Sequence, residues 1–167
     1  MEYDRSLFRV GLKAMGLAGL AGLWALTWYA VYGPYPLPAR IATHFDASGQ
    51  ANGWGEPRML WLLPIVASGV YGAMWLVARH PSAFNYPIRV SPATRPKLEA
   101  MTLGMISWLQ FELECLFLWI QYAIVRSAQA GKSALSPAFL PTVVMIIFGT
   151  VAWHFVAMLR IGRDARQ

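Results

Sequence analysis

Side chains that can bind ligands or transfer protons fall in two places along the 167-residue sequence. His44 and Asp46 lie two residues apart in a segment rich in proline and glycine. They can orient one another, hydrogen-bond the backbone of their own segment, contact a small ligand or peptide, or supply two ligands to a metal. Two ligands do not complete a metal site, so no metal and no cofactor is expected here. Glu112 and Glu114 lie in a long apolar run, where an ionised carboxylate is costly.

The elements that must position these residues are four long apolar runs. The chain is 57% hydrophobic and only 13% charged, whereas soluble domains carry about 25% charged residues. This composition excludes a soluble enzyme, a disordered tail and a nucleic-acid-binding module. Each run has the roughly 20 residues that a helix needs to cross a bilayer. We therefore predict an all-α, four-helix transmembrane bundle as a single domain, 1–167, with helices at 14–33, 59–78, 100–125 and 138–159.

The basic residues predict the orientation of these helices. Ten of the 14 Lys and Arg residues lie at the two termini or between the second and third helices. Because the positive-inside rule places the richer side in the cytoplasm, both termini are predicted to be cytoplasmic and the loop 34–58 extracytoplasmic. The ten are Arg5, Arg9, Lys13, Arg79, Arg89, Arg95, Lys97, Arg160, Arg163 and Arg166, and the other four are Arg40, Arg58, Arg126 and Lys132.

Polar residues of the third helix fall on two faces. At about 100° per residue, Gln110, Glu114 and Gln121 share one face, and Glu112 points about 160° away. The two acids therefore cannot form the close carboxylate pair of a glycosidase. The shared face lines a cavity or a proton path, or else Glu114 is a neutral acid that fixes helix packing. A depth difference of about 10 Å argues against a direct pair between His154 and Glu112.

The loop 34–58 contains the most specific motif. Its glycines and asparagine supply the positive φ angles of tight turns, so we expect a compact, ordered loop. Pro36 and Pro38 are followed by His44-Phe45-Asp46, Gly49 and Asn52-Gly53-Trp54-Gly55. This series resembles the signature of the domain-of-unknown-function family 1648, in which a proline, a His-Phe-Asn or His-Trp-Asn step, a Gly and an Asn-Gly or Asp-Gly step precede an aromatic residue. The resemblance covers roughly Ala14 to Arg79.

The resemblance implies a bacterial membrane protein. Its members include the SdpI-like proteins, which confer immunity against a secreted toxin and transduce its signal. This sequence departs from the pattern at Asp46, where Asn is usual, and it lacks the additional helices of the SdpI-like proteins.

These observations predict a multi-pass protein of the bacterial cytoplasmic membrane that is not an enzyme. Its expected activity is binding or signalling through the extracytoplasmic loop, toward a peptide or a membrane-protein partner, with toxin immunity as the role the resemblance implies. The alternative is a small proton- or ion-coupled transporter that uses the intramembrane glutamates. The lipid bilayer is an expected partner and nucleic acid is not. The candidate residues are His44, Phe45, Asp46, Gly49, Asn52, Gly53 and Trp54 in the loop, and Gln110, Glu112, Glu114 and Gln121 in the membrane.

The predicted orientation is testable with reporter fusions after Gln167. A green fluorescent protein fused there should be fluorescent, and alkaline phosphatase fused there should be inactive, because the C-terminus is expected in the cytoplasm. Activity of the phosphatase fusion would contradict this orientation.

Overall fold

Four long helices dominate the computed structural model, which describes residues 2–131 and 135–164. Within the described residues, these four helices are long and apolar enough to cross a membrane. The protein is therefore a mostly helical, multi-pass membrane protein. Lys132 and Arg166, which entered the count of basic residues, and Gln167 lie outside the described residues.

Three of the four helices extend beyond the apolar runs from which they were predicted, whereas the second begins three residues later than predicted. Helix α1 spans Glu2–Tyr32, α2 spans Leu62–Ala78, α3 spans Arg95–Gln129 and α4 spans Phe139–Asp164. A short 3-10 helix, Pro57–Trp61, leads into α2. Because an ammonium or carboxylate ends an apolar run but does not end a helix, hydropathy marks the membrane-crossing part and misses the ends.

Helix α3 is the centre of the bundle. It packs against α1, α2 and α4, whereas α4 packs chiefly on α3. Most apolar side chains of α4 are exposed, including Met145 and Phe148, which are 74% and 68% exposed. In a membrane protein such a surface faces lipid acyl chains.

A β-hairpin between α1 and α2 corrects the prediction that the fold is all-α. Strand β1, Ile41–Phe45, pairs antiparallel with strand β2, Ala51–Gly55. The sequence predicts a turn at Asn52-Gly53, but this step lies inside β2. The turn of the hairpin is formed by residues 46–50 instead. Two register irregularities interrupt the ladder near His44.

One face of the hairpin is buried against the ends of the helices. Ile41 is 1% exposed and joins a core with Ala30 of α1, Leu60 of the 3-10 helix, and Ile124 and Val125 of α3. Phe45 packs against the same core. Because apolar side chains at alternate positions of a strand share a face, Ile41 and Phe45 fix which side of the hairpin faces the helices. We call this end of the bundle the hairpin end.

The hairpin turn also holds the connection between α3 and α4. Gly49 has φ +83°, which an L side chain adopts only at a cost. Its carbonyl accepts a hydrogen bond of 2.7 Å from the Leu135 N–H. A Cβ at Gly49 would lie 2.4 Å from the Leu135 carbonyl oxygen. Glycine is therefore required both by the turn and by the close approach of the second chain segment.

Replacing Gly49 by Ala should destabilise the protein by at least about 1–3 kcal/mol, because the backbone strain adds to a clash with Leu135. Thermal unfolding of the purified protein in detergent measures the effect. Gly131→Ala is the matched control, since Gly131 has φ +65° but no atom within 4 Å of its Cβ position. Equal losses in the two variants would show that the contact with Leu135 adds nothing.

Candidate functional site

Asp46 organises the hairpin turn. Its Oδ1 accepts hydrogen bonds from the Ser48 N–H at 2.8 Å, the Ser48 hydroxyl at 2.6 Å and the Gln50 N–H at 3.0 Å. These bonds, with that of the Ser48 hydroxyl first, lower the pKa of Asp46 below its ordinary value because they favour the ionised form. Asp46 therefore hydrogen-bonds its own loop.

His44 and Asp46 do not act as a pair. The His44 ring bonds through Nδ1 to the side-chain Oδ1 of Asn52, across the hairpin. Gly53 lies opposite His44 in the ladder, and a Cβ there would lie 2.8 Å from the His44 Cβ. The described residues contain no group of three His, Cys, Asp or Glu side chains that could hold a metal ion.

The exposed side of the hairpin borders a recess of about 640 Å³. Arg40, Arg58 and Glu56 line it together with Trp54, which is 47% exposed. Arg58 forms an ion pair of 3.0 Å with Glu56. In the described part of the chain, no carboxylate pairs with Arg40. From the sequence, Arg40 and Arg58 contribute only to the count of basic residues that predicts the orientation. Their position on the side with few basic residues was the one sequence feature that could have indicated a binding role.

The predicted polar face of α3 is buried as expected. Gln110, Glu114 and Gln121 are each at most 2% exposed. The Gln121 amide donates to the Thr27 hydroxyl at 2.7 Å and to the Leu60 carbonyl at 3.1 Å. Pro64 has no N–H to offer that carbonyl, four residues earlier. Gln121 therefore replaces a helical hydrogen bond and joins α1, α3 and the start of α2.

Glu114 lies deeper in the same face, against α1. Its Cβ is 3.3 Å from the position that a Cβ would occupy at Gly19. Neither of its carboxyl oxygens has a hydrogen-bond partner among the described residues, and neither do Oε1 of Gln110 and Oε1 of Gln121. The Gln110 amide itself donates to the Tyr71 carbonyl at 3.3 Å. Acceptors thus outnumber donors along this buried face.

Glu112 points away from the face that carries Glu114, as the helical rotation predicts, and the structure places it against α4. The Thr150 hydroxyl donates to Glu112 Oε1, and the His154 ring donates to the Thr150 carbonyl at 2.8 Å. His154 lies one turn from Thr150, so its depth differs from that of Glu112 by about 6 Å rather than the predicted 10 Å. The two side chains still form no direct pair. Glu112 also lines an apolar cavity of about 530 Å³ between α3 and α4.

The predicted residues therefore form two separate groups. His44, Asp46, Asn52 and Trp54 lie on the hairpin, while the glutamates lie within the bundle. The hydrogen bond from Gln121 to Leu60 connects the polar face of α3 to the core under the hairpin, because Leu60 belongs to that core.

Comparison with protein families identifies the segment that carries the hairpin. A family model described as Domain of unknown function (DUF1648) matches residues 19–67. The chain carries a DUF1648 domain. The match lies within the range over which the sequence resembles that family, and it covers the C-terminal part of α1, the hairpin and the first turns of α2. Searches among curated proteins and solved structures found no match.

Within the DUF1648 domain, Asp46 should make stability depend on pH. The pKa of Asp46 is lower in the folded protein than the value of about 3.9 in an unfolded chain. Its ionised carboxylate therefore stabilises the folded protein fully at pH values above about 3.9. This contribution is lost as pH falls through the lower folded-state pKa. The difference in melting temperature between the wild type and Asp46→Asn, which keeps an acceptor but does not titrate, should therefore be positive at pH 6 and shrink toward pH 3. A difference that stays constant over this range would contradict the role of the charge.

Proposed function

We propose that this protein binds a partner through the exposed side of its hairpin. The partner is a peptide or an exposed segment of another membrane protein that carries an acidic group. The observation that carries the proposal is the recess beside Trp54, because it combines an exposed aromatic ring with the guanidinium of Arg40, which pairs with no carboxylate among the described residues. Aromatic and arginine side chains are the types most enriched at binding hot spots.

The contacts that fix the hairpin to the bundle support this role. Its inner face is fixed by the apolar core, and its turn is held by Asp46 and by the contact between Gly49 and Leu135. A recognition surface on such a support loses little conformational freedom on binding, so more of the contact energy remains as affinity. The basic-residue bias supports an extracytoplasmic position for this surface. Immunity against a secreted toxin in a bacterial cytoplasmic membrane is the specific role that we propose for it.

A second function, proton- or ion-coupled transport, is supported by one different observation. Both carboxyl oxygens of Glu114 are buried without a donor in the described structure, and a buried acceptor without a partner costs about 1–3 kcal/mol. A proton or a cation bound at Glu114 would remove that cost. Transport would use the interior of the bundle and not the hairpin surface.

A sensitivity assay in the source bacterium distinguishes the two functions. A deletion strain should be inhibited by the secreted peptide fraction of the parent strain, and the wild-type gene should restore growth. Arg40→Gln and Trp54→Ala should fail to restore growth, whereas Arg126→Gln should restore it. Arg126 is the matched control because it is an exposed cation that does not line the recess.

The outcome for Glu114→Gln completes the test. This variant should restore growth if the hairpin carries the function, since Glu114 lies inside the bundle. Failure of Glu114→Gln, combined with growth of the Arg40 and Trp54 variants, would overturn binding in favour of transport. A deletion strain that grows as well as its parent would overturn the immunity role. Immunoblots must show equal amounts of every variant in the membrane fraction.

A further inference from the structure

Another cavity lies at the end of the bundle opposite the hairpin. It has a volume of about 530 Å³ and is bounded by α1, α3 and α4. Two cationic side chains, Arg9 and Lys97, line it with His154, and no carboxylate lines it among the side chains that the structure describes. Trp108 and Trp153 line it as well, so the same cavity combines positive charge with aromatic walls.

The packing of α1 on α3 gives the depth of these residues. The Cβ position of Gly16 lies 3.7 Å from the Phe111 Cα, and that of Gly19 lies 3.3 Å from the Glu114 Cβ. The two parallel helices thus keep a constant offset, which places Arg9 at the level of Gly104. Along the α3 axis, Lys97 then lies about 10 Å toward the end of the bundle, and Trp108 lies about 6 Å in the opposite direction, toward the interior.

Two further arginines mark the same level. The hydrogen bond from Gln110 to Tyr71 fixes the relative depth of the antiparallel helices α3 and α2. Arg79, at the end of α2, therefore lies at the level of Thr102 of α3. The contact of Thr150 with Glu112 places Arg160 of α4 at that level too. Arg9 differs from these two arginines by only about 3 Å in depth. Lys13 of α1 lies about 6 Å further in, and its long side chain can extend its ammonium group to the same level. Since cations collect where the apolar layer ends, this level is the boundary between hydrocarbon and headgroups.

The cavity therefore crosses the membrane boundary. Lys97 lies on the headgroup side, Arg9 lies at the boundary, and Trp108 and Trp153 line the part within the hydrocarbon. We propose that this cavity binds an anionic phospholipid, with the phosphate between Arg9 and Lys97 and the start of an acyl chain along the two tryptophans. A zwitterionic lipid would bring its ammonium group to two cations and no carboxylate, so its binding is disfavoured.

Native mass spectrometry of the full-length protein in detergent tests the charge requirement. The probes are dioleoyl phosphatidylglycerol and dioleoyl phosphatidylcholine, which differ only in the headgroup. The wild type should prefer phosphatidylglycerol, and the double variant Arg9→Gln/Lys97→Gln should lose about fivefold in affinity for each cation removed. Arg89→Gln/Arg163→Gln is the matched control, because both residues are exposed cations at this end that do not line the cavity.

A second variant tests the cavity without altering charge. Gly104 lines it, and a Cβ at Gly104 would have no atom within 4 Å. Gly104→Leu should therefore fill the space without a clash and reduce phosphatidylglycerol binding to the level of phosphatidylcholine. Gly149→Leu is its control, since Gly149 of α4 is equally open and lies outside the cavity. Gly104→Leu also decides the outcome if the double charge variant fails to fold.

Three results would overturn the proposal. Equal loss of binding in the Arg89/Arg163 control would mean that the surface charge attracts the lipid without a specific site. Unchanged binding in Gly104→Leu would exclude the cavity. Displacement of phosphatidylglycerol by millimolar inorganic phosphate would show that the ligand is a soluble anion rather than a phospholipid. Retained phosphatidylglycerol in the presence of phosphate, together with loss in Gly104→Leu, is the expected result.

Discussion

The bundle depends on one polar face of α3 that is buried at the contacts with α1 and α2. Apolar side chains give helices in lipid little preference for one another over acyl chains, so packing and interhelical hydrogen bonds determine which surfaces meet. Gln121 provides such bonds to Thr27 and to the Leu60 carbonyl. The small residues Gly16 and Gly19 let α1 approach the same face closely. Helix α4 is joined to α3 by the hydrogen bond from Thr150 to Glu112, and most of its surface is exposed.

The amino-acid sequence was sufficient to predict these helices and the faces of α3. Long apolar runs have few structural alternatives in a bilayer, because every backbone polar group must be satisfied within the segment. The 100° rotation per residue then separates Glu112 from Glu114 without any further information. The ends of α3 were not predictable from hydropathy, because its first and last turns are polar and lie beyond the apolar run.

The hairpin was harder to predict because its signals compete. Residues 51–55 alternate between partly buried and exposed positions, but residues 41 and 42 are both buried, and five residues are too few to distinguish a strand from an ordered loop. Asn52-Gly53 is a common hairpin turn, yet here Gly53 is needed inside a strand to admit His44. The true turn is stabilised by Asp46 and by Leu135, which is 86 positions away from Gly49 in the sequence. No local pattern contains that contact. The recess beside Trp54 was missed for the same reason, since Arg40 and Arg58 are brought together only when the strands pair.

The dependence of the DUF1648 domain on α3 also has a consequence for biogenesis. The family match ends at residue 67, whereas Gln121, Ile124 and Val125, on which the domain packs, come more than 50 residues later. At about 5–20 residues per second, a ribosome needs roughly 3–11 s to synthesise the intervening chain. During that interval, the first two helices can enter the bilayer while the hairpin lacks the part of its core that α3 supplies. The hairpin therefore reaches its final position only after the third helix has been inserted. Insertion of that helix is the step at which an assembly factor or a protease can distinguish a chain with a docked hairpin from one without.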